Sequence, residues 1–219
     1  MKHLRQTILL ISILSTLCFP FTPEDIATKA EKKLQSLRSL QANFEQLLYS
    51  TSVSAPLDER GKFYLQKPDL MKWEYQDPEK KVWLYKDRTF LFYVAEEKQL
   101  IRSSQSKEKY ESEILSILSG QKSLRDNYQI EFSPFPTDEP KAWQLKLTPK
   151  IEGEHSFILL EINEKTWLIQ KAVFLDWAGN KTEFRFTRIK TDTRLSPEVF
   201  ELKVPPDCEV IEDVPGPKK

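Results

Sequence analysis

Between Pro68 and Pro78, apolar Met71, Trp73 and Tyr75 alternate with polar Lys72, Glu74 and Gln76. A period of two is the pattern of a β-strand with one apolar face and one wet face. Proline has no N–H to give a β-ladder, so the two prolines bracket this strand. The same period recurs in GKFYLQKP, KVWLYKD, TFLFYVAEEKQLIR, WQLKLTP, HSFILLEIN, TWLIQKAVFLD and NKTEFRFTRIK. Short strands at regular spacing, divided by turn residues, predict an antiparallel meander. WAGN at 177–180 has the composition of a hairpin turn.

Two segments carry the helical period instead. After Pro23, Ile26, Ala30, Leu34 and Leu37 recur at intervals of four, four and three, which is one face of a helix. Thr22 is its candidate N-cap, with Pro23 at the first helical position and Glu24 and Asp25 at the positive end of the dipole. The period changes near Ser39, where Leu40, Ala42, Phe44 and Leu48 open a strand. Further on, Ile114, Leu115, Ile117 and Leu118 predict a short amphipathic helix ending at Gly120. Polar text at 51–60 and 133–140 reads as loops, LSPEVFEL as a capping turn, and PPDCEVIEDVPGPKK as a frayed tail. The order predicts one α+β domain, mostly sheet, over residues 23–219.

The chain of 219 residues holds 5 glycines, 14 prolines and 25 aromatic residues (5 Trp, 7 Tyr, 13 Phe). Its net charge of zero supplies no field to gather nucleic acid or anionic lipid. Lys2 and Arg5 followed by an apolar run from Ile8 to Leu17 read as a secretory signal over residues 1–22. Large Leu17 argues against a lipidated Cys18. Cleavage after the signal leaves Cys208 as the one cysteine, which excludes an internal disulfide.

Catalytic patterns are missing: HExxH, GxSxG, CxxC and a phosphate-cradling glycine loop do not occur. His155 beside Glu154 reads as a turn histidine, and Cys208 has no histidine near it in sequence. Pairs such as Asp87 with Glu96 are what 33 acidic residues supply by number alone. KFYLQK and FRFTRIK interleave bases with aromatics, as nucleic-acid stacking surfaces do, but a solvated strand face has the same composition. The sequence therefore predicts no enzyme, no cofactor, no metal and no nucleic-acid partner. The aromatic excess is left to be explained by a packed core or by an apolar cavity, between which periodicity does not decide.

KPDLMKWEY resembles the signature of the LolA-type periplasmic carriers of outer-membrane lipoproteins. SLQANFEQ, QLKLTPK, DWAGNKTEFRF and VFELKVPPDCEVI follow in the family's order, so the resemblance spans Glu24 to Ile211. It implies an unclosed half-barrel sheet with helices lidding an apolar cavity. It also implies a periplasmic monomer that takes acylated lipoproteins from an inner-membrane ABC transporter to an outer-membrane acceptor. A lipid- or lipoprotein-binding sensor of the same fold is the alternative. On this resemblance Phe44, Phe63, Leu65, Met71, Trp73 and Tyr75 line the cavity, together with Leu84, Phe92, Ile114 and Leu118. Lys67 stands where the family carries a lid-latching arginine. Asp87-Arg88 replaces the family's Asp-Gly, implying a different turn, and Cys208 replaces a late glycine. Trp73→Glu is expected to abolish lipoprotein loading, measured by native mass spectrometry, in a chain that still folds.

Overall fold

The computed structural model describes residues 21–103, 113–137, 139, 141–151, 153 and 155–213. All but the last two residues of the predicted signal lie outside these. Helix α1 (Pro23–Ser36) starts as its cap residues require: Thr22 Oγ1 accepts from the Asp25 N–H at 3.2 Å, and Asp25 Oδ2 accepts from the Thr22 N–H at 3.1 Å. Its apolar stripe, Ile26, Ala30 and Leu34, is buried.

Six strands follow: β1 (Ser39–Tyr49), β2 (Leu57–Gln66), β3 (Leu70–Asp77), β4 (Lys81–Lys86), β5 (Thr89–Val94) and β6 (Gln99–Ser103). Two short helices, α2 (Glu113–Leu118) and α3 (Leu124–Asn127), precede β7 (Tyr128–Phe132) and β8 (Ala142–Pro149). The chain continues with β9 (His155–Asn163), β10 (Ile169–Asp176), β11 (Lys181–Thr191), a 3₁₀ turn (Pro197–Phe200) and β12 (Glu209–Asp213). All form one twelve-stranded sheet in the order β12-β6-β5-β4-β3-β2-β1-β11-β10-β9-β8-β7. Among the described residues its two edges do not pair, so the sheet is unclosed.

The structure corrects the sequence reading in four places. β2 begins at Leu57, opposite Leu48, so the loop after β1 is shorter than residues 51–60. The strand was hidden because its inward positions there include Glu59 and Gly61, which break the apolar alternation. Residues 209–213 are not a frayed tail but pair parallel with β6, the one parallel pair among the described strands of an otherwise antiparallel sheet. Helix α3 and strand β7 were not predicted. The Asp87-Arg88 turn has φ of 52° and 60°, both positive, which is the type I′ geometry that Asp-Gly would adopt. The turn is therefore the usual one, held by residues for which that backbone is sterically unfavourable.

Two apolar clusters lie on opposite faces. The larger joins the concave face of the sheet to α1 and α2. The smaller packs Phe200 of the 3₁₀ turn against Tyr64 and Leu84 on the outer face. On β11 the outer face carries ion pairs centred on Glu183, whose carboxylate is 2.6 Å from Arg185 Nε, 3.4 Å from Lys181 Nζ and 3.8 Å from Lys171 Nζ.

Burial alone would push the Glu183 carboxyl up. The Arg185 hydrogen bond and the charges of Lys171, Arg185 and Lys181 outweigh it, so the carboxyl sits below its ordinary 4.5. A carboxyl depressed on folding contributes stability that is present above its unfolded value and lost as pH falls through its folded value. Glu183→Gln is expected to lower the urea midpoint near pH 7, with the gap from the native chain closing as pH drops below 4.5. Urea titrations across that range check it.

Candidate apolar cavity and its aromatic wall

Strand alternation turns Met71, Trp73 and Tyr75 inward, and Trp73 becomes the hub of a ring cluster. Its centroid lies 4.8 Å from Phe44, 4.5 Å from Phe63, 5.4 Å from Phe184 and 6.0 Å from Phe186. These are the separations of favourable offset and edge contacts. Trp73 is 4% exposed. A carboxylate there would be taken out of water among rings, so Trp73→Glu is expected to destabilise the fold as well as alter the site.

In front of this cluster lies a cavity of about 430 Å³, within the range of small-molecule sites. Met71, Trp73, Tyr75 and Ile114 line it. Phe44 and Phe63 stand behind Trp73, and Leu118 is packed in the core. Leu65 borders a smaller space of about 210 Å³ beside Lys67. Phe92 stacks on Trp83 at 4.0 Å, outside the main cavity. Leu84 is the departure: it borders the cavity, yet it falls between inward Trp83 and Tyr85, and its side chain joins the outer cluster with Tyr64 and Phe200.

The sequence did not single out Trp83, Tyr85, Phe90, Phe174 and Phe184, which complete the apolar wall. Helix α2 adds Glu113 and Leu115 beside Ile114. His155 opens β9 and lines the far wall, 5.1 Å from the Phe174 ring, where the sequence suggested a turn. Cys208 lies in the segment before β12 and is a free thiol.

One end of the cavity is polar. Tyr75 donates its hydroxyl to Gln46 Oε1 at 2.7 Å, and Lys81 pairs with buried Glu59. The Lys81 ammonium also sits 4.6 Å from the Tyr75 ring centroid. Burial, with the Glu59 charge added, pushes the Tyr75 hydroxyl far above its ordinary value, so it stays a donor. The ion pair is internally neutral, which lets it stand in an apolar wall.

Lys67 lies at the mouth of the smaller space. Its ammonium donates to the carbonyls of Leu34 at 2.7 Å and Gln35 at 3.1 Å, two of the last four carbonyls of α1. The Leu34 carbonyl also accepts from the Leu37 N–H at 3.3 Å. A cation at a helix C-terminus meets the negative end of the dipole as well. Burial pushes this ammonium below its ordinary value, against the pull of Asp192. Gly120, at φ 70°, closes the end of α2 against the same turn: a Cβ there would come within 3.0 Å of the Gln35 nitrogen.

The family model for the outer membrane lipoprotein carrier protein LolA matches residues 35–203. The chain belongs to that family. It is 28% identical over 205 residues to the outer-membrane lipoprotein carrier protein of Methylococcus capsulatus, covering 92% of this chain and 96% of that one. A relative of the same name from Coxiella burnetii is 23% identical, over 85% of this chain and 87% of its own. Among solved structures, an uncharacterized conserved protein from Thermus thermophilus aligns with a TM-score of 0.57 at 16% identity, over 86% of this chain and 98% of its own. MucB aligns with a TM-score of 0.54 at 13% identity, over 86% of this chain and 65% of its own. The last two are likenesses of fold.

Within this LolA-family chain, Lys67 makes contacts that a longer guanidinium can also make. Lys67→Met takes a charged donor from both carbonyls and leaves Leu34 only its bond from Leu37. It is expected to cost about 2 kcal/mol, and Lys67→Arg to cost little. Thermal unfolding of the two variants checks both.

Proposed function

We propose that this chain is a periplasmic carrier that holds the acyl chains of lipoproteins and involves no chemical step. In this reading it receives them from an inner-membrane lipoprotein-releasing ABC transporter and passes them to an outer-membrane acceptor. The observation that carries the reading is the apolar cavity of about 430 Å³ walled by Met71, Trp73, Trp83 and Phe184 in a chain of the LolA family. The signal at residues 1–22, as read from the sequence, supports export. Among the described residues no helix is long and apolar enough to cross a membrane.

Burial of acyl methylenes supplies the affinity, at about 0.8 kcal/mol each. Helix α2 then acts as a lid, since Ile114 and Leu115 contribute to the cavity wall from a segment of only six residues. Moving it and its packed side chains offsets part of the gain from the acyl chain. Release is then driven by an acceptor with a larger net affinity. Lys67 holds the end of α1 against which α2 closes, the role the family's arginine has.

Leu115 is only partly buried, so a charge there spares the fold while facing the cavity. Leu115→Glu is expected to lose the one-to-one complex with acylated lipoproteins that forms on incubation with spheroplasts, with circular dichroism unchanged. Native mass spectrometry reads the complex. A variant that loads as the native chain does would overturn the cavity as the cargo site.

A further inference from the structure

Phe21 stands just before α1, inside the stretch that the sequence assigns to the signal, yet it is seated on the body of the protein. Its ring lies 6.3 Å from the Trp143 ring of β8 and 5.8 Å from the Trp167 ring of the β9–β10 turn, at 83° and 84°. These are edge-to-face contacts. The Lys29 ammonium of α1 sits 4.6 Å from the Phe21 centroid and 4.9 Å from that of Trp167, so one cation serves both rings. Trp167 has φ of 60°, a left-handed backbone that a bulky side chain rarely adopts. Its N–H donates to the Asn163 carbonyl at 3.0 Å, and Asn163 Oδ1 accepts from the N–H groups of Lys165 and Thr166 at 3.0 and 2.9 Å. The turn is thus held in the form that offers an indole to Phe21.

Thr22 is equally committed, since its Oγ1 and its N–H both take part in the capping box of α1. A signal ending at residue 22 would remove the helix cap and the seated ring together. One ending at residue 21 would still remove the ring. A signal peptide ends on small side chains at the first and third positions before the cut. Over residues 8–22 the small side chains are Ser12, Ser15, Thr16, Cys18 and Thr22, and only Thr16 and Cys18 stand two apart. The large Leu17 falls between them, at neither of the positions that have to be small.

We propose that the signal ends at Cys18 and that a membrane-bound signal peptidase cleaves the Cys18–Phe19 bond, four residues before the boundary expected from the sequence. In the cleavage water adds across the amide: its hydroxyl goes to the Cys18 carbonyl carbon and its proton to the Phe19 nitrogen. The signal leaves with a Cys18 carboxylate, and the mature chain starts Phe19-Pro20-Phe21 with a free ammonium. Phe21 then ties the start of the mature chain to β8 and the β9–β10 turn. Two independent observations meet at this bond. The contacts of Phe21 fix the latest point at which the chain is cut, and the Thr16–Cys18 pair selects the bond. Cys18 leaves with the signal, so Cys208 keeps no thiol partner. The proposal rests on the export signal and not on the cavity.

The test expresses the full-length precursor in a Gram-negative host and reads the periplasmic product by N-terminal sequencing and intact mass. The expected first residues are Phe-Pro-Phe. A product that begins at Thr22 or Pro23 would overturn the proposal while leaving the carrier reading in place, and so would one that retains Cys18, acylated or not. A chain recovered only uncleaved would overturn the proposal and the soluble carrier with it. Two variants separate the bond from the seat. Cys18→Phe is expected to lose processing and accumulate precursor; cleavage of the same bond at the native rate would sink the assignment. Phe21 is 41% exposed, so Phe21→Ala leaves the core in place. This variant is expected to be processed normally and to lower the thermal midpoint of the mature chain by about 3 °C. An unchanged midpoint would show that the ring anchors nothing and would remove the ground for placing the cut before it.

Discussion

A sheet of twelve strands that does not close on itself has to cover its inward face with something other than a second sheet. Among the described residues the cover is α1, of 14 residues, and α2, of 6, with Leu124 of α3 beside them, and these helices are together shorter than the face they lie on. The apolar surplus is met first by rings packing on rings. Trp73 gathers Phe44, Phe63, Phe184 and Phe186 from strands on one side of it, while Trp83 stands opposite on the other, so the two halves of the sheet share one apolar wall. What the rings do not fill stays as space. Core and cavity are therefore one structure, and the question of which the aromatic residues serve has both answers.

The polar groups at one end of that wall are arranged so that none imposes a net charge. Lys81 is matched by Glu59, and Tyr75 is matched by Gln46. A low-dielectric site makes an unpaired charge costly and a paired one tolerable. The same rule governs the end of α1, where Lys67 serves two carbonyls of the last turn. The cavity edge thus depends on one lysine joining a strand end to a helix. On the outer face, where water reaches its partners, Glu183 gathers three cations without any apolar consequence.

Fold and function part company at this level of likeness. The family assignment rests on residues 35–203, whereas the resemblance to MucB at 13% identity concerns the fold alone. A shared half-barrel sheet hosts different tasks, and the task is decided by what lines the face and how it is reached. In this chain the lining is largely aromatic, drawn from Trp73, Tyr75, Trp83, Tyr85, Phe90, Phe174 and Phe184.

The amino-acid sequence by itself determined the start and face of α1, the extent of β3 between its prolines, and the short helix at 114–118. Each of these is written in local chemistry: a capping box, two missing amide hydrogens, a helical period. The family likeness was also legible, because its motifs are contiguous. Which residues meet was not. Both faces of β4 are apolar, Val82 and Leu84 on one and Trp83 and Tyr85 on the other, so alternation could not say which faced inward, and Leu84 packs in the outer cluster while also bordering the cavity. Glu59 and Gly61 disguised the first half of β2, and His155, Phe174 and Phe184 reached the cavity from strands more than 80 residues after β3 began. The parallel placement of β12 had no local signature at all, because a five-residue edge strand takes its register from its neighbour. Period and caps are properties of a segment, whereas curvature, facing and edge pairing are properties of the whole sheet, and only the tertiary structure decides them.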